Sequence, residues 1–360
     1  MENNRNSLMD VARGIGILSI VVGHCCYGLE IPFIHVKLGE FVYSYHLMIF
    51  FFVSGFFFKK ESVKELDKYI GRRLCKFISM LWTYNLIFVL LHNFLVDKGM
   101  ISSLEIYKIS DIVSRGIQGI LMKYTEELLG ACWFLPMFFI GITLFAVLFS
   151  LIENNFCNKK LRGHFSVIII SALIGLYANV HGLKWEYEIQ TSILAIPVIY
   201  MGYVSRQYWN EIKKRINWYG TIISFIFIVI ILKLNIGTIE LSVNSIINQE
   251  LFYPVTIAGI YFCLGLANII NKCKLTEAIF AKMGKNSFHI MALHFCGFKI
   301  VDFIYARMNE ITDTVQTGRF PHSEFGLHWT YVIFSIIFSL IIVKLLDIIK
   351  DKRKLRRTDK

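Results

Sequence analysis

Proline is scarce in this chain, with five in 360 residues. Apolar stretches can therefore run on as helices, because proline removes a backbone donor and breaks them. Cysteine offers no framework either. The eight cysteines include no C-x-x-C pair and no metal-ligand spacing. Cys25 and Cys26 are adjacent, and Cys132, Cys263 and Cys296 fall inside apolar runs. They read as small apolar residues rather than as a disulfide set, and no metal is expected. Charge is thin at 18% of residues, and acidic residues are outnumbered 26 to 38, for a net +12. Such a balance suggests nucleic acid, but the basic residues form short clusters between apolar runs. That is the positive-inside pattern of a membrane protein, and no nucleic-acid partner is expected. No small-residue cleavage site follows the first apolar segment, which is expected to remain as a span. There is no strong internal repeat, low-complexity linker or second soluble domain.

What is present is apolar surface. Hydrophobic residues make up 55% of the chain, with 31 Phe and 17 Tyr. Several runs approach the roughly 20 apolar residues that cross a bilayer. The fold class expected is all-α and polytopic, with about ten spans near 11–28, 41–58, 76–96, 131–152, 165–181, 189–206, 217–234, 251–270, 287–306 and 329–349. Alternate loops collect Lys59–Lys76, Lys159–Arg162, Arg206–Arg215 and Lys272–Lys285. With Arg5, Arg13 and the tail, that side holds 27 of the 38 basic residues. Both termini are therefore expected in the cytoplasm. Residues 1–350 read as one membrane-embedded domain. Residues 351–360 read as a basic, disordered cytoplasmic tail suited to anionic headgroups. Within the long outer loop, Ile109, Ile112, Val113, Ile117, Ile120 and Leu121 are spaced as on an amphipathic helix, which would lie on the membrane or partly cover the outer mouth.

The polar residues inside these spans are the functional candidates, since they are costly there. Arg13 and His24 are eleven residues apart, which places them within about 20° on one helical stripe and roughly 16 Å apart in depth. Arg13 falls near the inner surface and His24 in the outer third. Gly16 and Gly23 let another helix or a ligand approach that stripe. The plainer reading is that Arg13 snorkels, paired with Asp10, and that His24 is interfacial. His46, at the outer end of the second span, matches His24 in depth. Arg72 and Arg73 precede the third span. A basic cluster at a helix start suits phosphates through charge and free N–H groups, or serves only as a topology signal. Trp133 opens the fourth span from outside, with Pro136 in its first turns. In the ninth span Asn286 or Ser287 reads as the N-cap, and His294, Lys299 and Asp302 follow in the apolar run.

Together these segments resemble the acyltransferase 3 family of integral membrane acyltransferases, and more narrowly its fucose 4-O-acetylase type. The resemblance rests on Asp10-x-x-Arg13-x10-His24, on His46 before Phe50-Phe-Phe-Val-Ser-Gly55, on Arg72-Arg73, on Trp133-Phe-Leu, and on Gly284-Lys-Asn-Ser287 followed by His294. Met48 stands where the family pattern usually has proline. Some members carry an extra hydrolase-like domain after the spans. This chain has none there, so one-step transfer is expected.

The resemblance implies acetyl-CoA as cytoplasmic donor and a glycan or glycolipid hydroxyl outside as acceptor, in a bacterial cytoplasmic membrane. Arg13, Arg72 and Arg73 would hold the CoA phosphates. His24 would be the general base, with an acetyl-His intermediate as the open alternative. His46 and His294 would orient the acceptor or stabilise the oxyanion, and Trp133 lies on the acceptor side. The residues alone also suit a transporter of a surface-glycan precursor or a membrane-embedded sensor.

Overall fold

The computed structural model describes residues 6–155, 159–246, 248–311 and 318–358. Arg5 and Lys360 lie outside them. Helices follow one another almost without interruption. They are α1 (Ser7–Cys25), α2 (Leu38–Tyr43), α3 (Met48–Phe56), α4 (Leu66–Asp97), α5 (Ile109–Ile120), α6 (Phe134–Asn155), α7 (Lys160–Val180) and α8 (Ile189–Leu194). Then come α9 (Ile196–Gln207), α10 (Trp209–Arg215), α11 (Trp218–Lys233), α12 (Phe252–Ile270), α13 (Lys274–Lys285), α14 (Ser287–Met308) and α15 (His328–Thr358). A two-residue hairpin pairs Ile239–Glu240 with Ser245–Ile246. The chain is an all-α polytopic membrane protein. Among the described residues, eight helices are long and apolar enough to cross a bilayer, or nine if the bent pair α10–α11 counts as one.

The differences from ten regular spans have local causes. The expected segment 189–206 is split at Ala195 into α8 and α9, with Pro197 at the start of α9. Proline has no N–H to continue the ladder from the previous helix. The segment 217–234 is only 16 residues of helix and meets α10 at 76°. The segment 41–58 breaks between α2 and α3, and His46 sits in the break. There the backbone tightens to i→i−3 bonds, Ser44 N–H to the Phe41 carbonyl and Tyr45 N–H to that of Val42, each at 3.3 Å, while the Ser44 hydroxyl and His46 Nδ1 add bonds to the Glu40 and Val42 carbonyls. At the other end, α15 continues to Thr358. The expected disordered tail is helical as far as that residue, because no Gly or Pro follows the apolar run to stop the helix.

The first helix is the hub. Nearly all of α1 is buried, and it packs on α2, α3, α12, α13, α14 and α15. Gly14 meets the Phe280 carbonyl of α13, and Gly284 of α13 meets the Asp10 carbonyl in return, so any side chain at either position would collide with backbone. The outer rows of the bundle are apolar and exposed: Leu90 and Phe94 on α4, Ile169 and Leu173 on α7, Ile333, Ile337 and Ile341 on α15. Faces of this kind are stable only against lipid. The loop helix α5 keeps Ile109, Val113 and Ile117 exposed while Gly116 and Gly119 press on α4. Trp82 Nε1 donates to the Gly116 carbonyl at 3.1 Å.

Candidate active site

Two histidines from distant parts of the chain meet at the end of α1. His24 Nδ1 lies 2.9 Å from His294 Nε2. Their rings are stacked, with centroids 5.1 Å apart and 11° between planes. His294 is fully buried in α14, and its Nδ1 lies 3.1 and 2.9 Å from the carbonyls of Ile290 and Met291. A carbonyl only accepts, so His294 Nδ1 carries a hydrogen. In the neutral ring Nε2 is then the lone pair, and the hydrogen between the rings belongs to His24 Nδ1. His24 is left with an unprotonated Nε2. The same argument holds for His46, whose Nδ1 donates to Val42 O at 3.1 Å.

His24 and His46 border one small cavity of about 40 Å³, with Tyr43, Trp133, Glu240 and Ser242 also on its wall. That space suits a water-sized group and is far below the ~300 Å³ of an ordinary ligand pocket. Gly23 leaves room for the Tyr43 ring, whose hydroxyl donates to the Gly23 carbonyl at 3.4 Å. Tyr43 packs on His46 with centroids 4.6 Å apart.

Glu240 and Arg319 are the residues that sequence reasoning missed. Glu240 lies in the hairpin, 194 positions from His46, with no spacing to mark it. Burial pushes its carboxyl above the usual carboxylate range, partly offset by a hydrogen bond from the Ser242 hydroxyl. Arg319 lies between the expected spans 287–306 and 329–349. Its guanidinium lies 5.8 Å from the Phe295 ring centre and 5.2 Å from that of Phe320, and both rings pack on His24. It passes directly over Gly130, where a side chain would displace it. A fixed cation thus stands one ring away from the histidine pair.

Arg13 is at the opposite end of α1. It pairs with buried Asp10, and its guanidinium stands 6.0 Å over the Phe57 ring. Its Nε is buried and has no hydrogen-bond partner among the described residues. The stripe between Arg13 and His24 is filled: Gly16 packs on Ile49 and Phe50 of α3, and Ile17 and Ile20 are buried. The approach that Gly16 permits is therefore taken by a helix.

Arg72 and Arg73 do not sit at a helix start. They lie about two turns inside α4, so their own N–H groups are spent in the helix ladder and only their side chains are available. Arg72 is exposed and its Nε bonds the Lys68 carbonyl at 3.1 Å. Arg73 stands 4.6 Å over Tyr69, which packs on Phe58 and has a buried hydroxyl without a partner among the described residues. Arg13 and Arg73 are thus linked through the neighbours Phe57 and Phe58. Phe57 also walls a polar pocket of about 520 Å³ that Arg206, Trp209, Lys213 and Asn271 help to line. Asn271 Oδ1 is a third buried, unpartnered atom in this region. The expected cap of α14 does not form: Asn286 Nδ2 bonds back to the Lys282 carbonyl. Lys299 and Asp302 pair at 3.0 Å, and Asp302 also accepts from Tyr331.

The comparison with known families decides the class. The acyltransferase domain that defines the acyltransferase 3 family matches residues 6–347, nearly the whole chain. The chain belongs to the acyltransferase 3 family. No curated protein and no solved structure matches it. As a member of this family the protein is a membrane acyltransferase. Both ends of α1 and the whole histidine pair fall within the matched span.

Proposed function

We propose that this acyltransferase moves an acetyl group from cytoplasmic acetyl-CoA to a hydroxyl of a glycan or glycolipid on the other side of the bacterial cytoplasmic membrane. The observation that carries this reading is the His24–His294 pair. A half-buried imidazole whose lone-pair nitrogen is set by a second imidazole, itself locked by two carbonyls, is a preorganised general base. In the proposed reaction His24 Nε2 takes the hydroxyl proton of the acceptor as its oxygen attacks the thioester carbonyl. The tetrahedral oxyanion collapses, the C–S bond breaks, and the CoA thiolate leaves with the proton that His24 returns. His294 holds the tautomer of His24. Arg319, one ring away from the pair, would oppose the developing negative charge through its field, and His46 and Glu240 border the space proposed for the acceptor oxygen.

At the other end, the unsatisfied Arg13 Nε and Tyr69 hydroxyl fit an anionic donor. CoA phosphates would meet Arg13 and Arg73 there, with Arg206 and Lys213 in the adjoining pocket. Because Ile49 and Phe50 fill the stripe, the thioester reaches His24 only when α3 shifts from Gly16.

His24→Ala tests the chemistry. Labelled acetyl-CoA is given to reconstituted protein, and undiminished transfer with normal expression removes His24 from the mechanism. Trapping label on wild-type protein after acid quench would instead favour the acetyl-His route.

A further inference from the structure

A second cavity of about 430 Å³ adjoins the histidine cavity. The two share Trp133 and Ser242 as wall residues. The larger one is lined further by Tyr124, Tyr187, Glu186, Glu188 and Lys123. Its size falls within the range of small-molecule sites, whereas the histidine cavity does not.

The walls of this vestibule are built to keep their shape. Met122, Tyr187 and Glu188 all line it with φ near +55°, at 55°, 57° and 55°. Non-glycine residues reach that region only where the surroundings hold them. The Tyr187 hydroxyl donates to the Leu121 carbonyl at 3.1 Å, tying the two strained segments together. Tyr124 is fixed as well, by Tyr107 at 2.7 Å and by the Arg115 guanidinium 4.3 Å over its ring.

The chemistry of the walls selects a ligand class. Flat aromatic faces suit the C–H surface of a saturated ring, and carboxylates accept hydrogen bonds from hydroxyls. Two carboxylates against one lysine disfavour an anion. A lipid tail would lay hydrocarbon against both carboxylates, of which Glu188 is bonded, among the described residues, by Gln190 Nε2 through one oxygen only. We propose that this vestibule seats the acceptor as a neutral pyranoside, stacked on Trp133 and oriented by Glu186 and Glu188, which presents one hydroxyl past Trp133 to His24. The assignment of that hydroxyl rests on the acetyl-transfer reading. The binding of the ring does not.

The test therefore begins with binding alone. Protein carrying 5-fluorotryptophan is placed in nanodiscs, and the Trp133 resonance, assigned through Trp133→Phe, is followed as methyl pyranosides are added. The expected result is a saturable shift with neutral pyranosides and a weaker one with a methyl glucuronoside. Glu186→Gln and Glu188→Gln are each expected to weaken binding roughly tenfold, the loss of one charge-assisted hydrogen bond. Thermal stabilisation by CoA is expected to persist in both variants. No shift up to the solubility limit of the glycosides, a preference for the glucuronoside, or unchanged affinity in both Gln variants would overturn the proposal. If the ring binds as expected but no labelled acetyl is transferred to it, the vestibule stands and the acetyl-transfer reading falls.

Discussion

Replacing His294 by phenylalanine keeps a ring against His24 and removes the acceptor for its Nδ1 hydrogen. Phe295 and Phe320 pack on His24 and Phe298 on His294, and none of these rings can accept the hydrogen in its place. His24 then has two choices. It can keep its hydrogen on Nδ1 as an unsatisfied buried donor, at a cost of about 1–3 kcal/mol. It can instead move the hydrogen to Nε2 and lose the base. The preference for the productive tautomer falls by that amount, which is a factor of roughly 5–150 at about 1.4 kcal/mol per tenfold. The expected outcome for His294→Phe is a fall in kcat of that size with the KM for acetyl-CoA within about twofold. His294→Gln, whose amide oxygen can accept from His24 Nδ1, is expected to recover most of the loss. The assay is acetyl transfer from labelled acetyl-CoA by reconstituted protein, with folding checked by size-exclusion profile. A His294→Phe enzyme with wild-type kcat, or a Gln variant no better than Phe, refutes the positioning role.

Three further outcomes follow from other parts of the molecule. Arg13→Gln is expected to raise the KM for acetyl-CoA and weaken thermal stabilisation by CoA by roughly tenfold or more, a charged hydrogen bond to phosphate. Arg72→Gln, whose side chain is exposed and bonded to its own helix, is expected to change either by less than about threefold, so equal effects of the two would contradict this donor geometry. In the α3–α9 contact a Cβ on Gly202 would collide with the Phe52 carbonyl and one on Gly55 with that of Ile199. Gly202→Ala should cost about 3 kcal/mol or more by forcing two backbones apart, while Gly71→Ala, which meets nothing nearby, should leave the unfolding temperature unchanged or raised. Glu240 has its carboxyl raised by burial, so the folded state binds its proton more tightly than the unfolded chain does. Stability from this group is therefore present below the ordinary carboxylate range and lost as pH rises through the raised folded value. Glu240→Gln should accordingly melt higher than wild type at pH 7.5 and equally at pH 4, and a constant difference across that range would show the carboxyl is not the cause.

Much of this protein is legible in one dimension. The membrane class follows from apolar runs separated by basic clusters, because a bilayer imposes span length and charge placement on the sequence itself. The family follows from Arg13, His24, His46, Arg72, Arg73, Trp133 and His294 standing in a recognisable order, and α5 follows from its 3.6-residue period. Where helices break was not legible in the same way. Pro197 marks one break by its missing N–H, but the interruption at His46, where i→i−3 bonds replace part of the α ladder, carries no such residue to mark it. Long-range partners were the least visible. That His24 faces His294 across 270 positions, that Glu240 and Trp133 share a wall with it, and that Arg319 lies over Gly130 depend on how α1, α14 and the loops pack together. Tertiary packing also decided between a helix and a ligand beside the Arg13–His24 stripe, by placing Ile49 and Phe50 on Gly16. A sequence carries the spacing of residues along each helix, whereas the atom that occupies the space beside them is decided by close packing between helices, which no local pattern records.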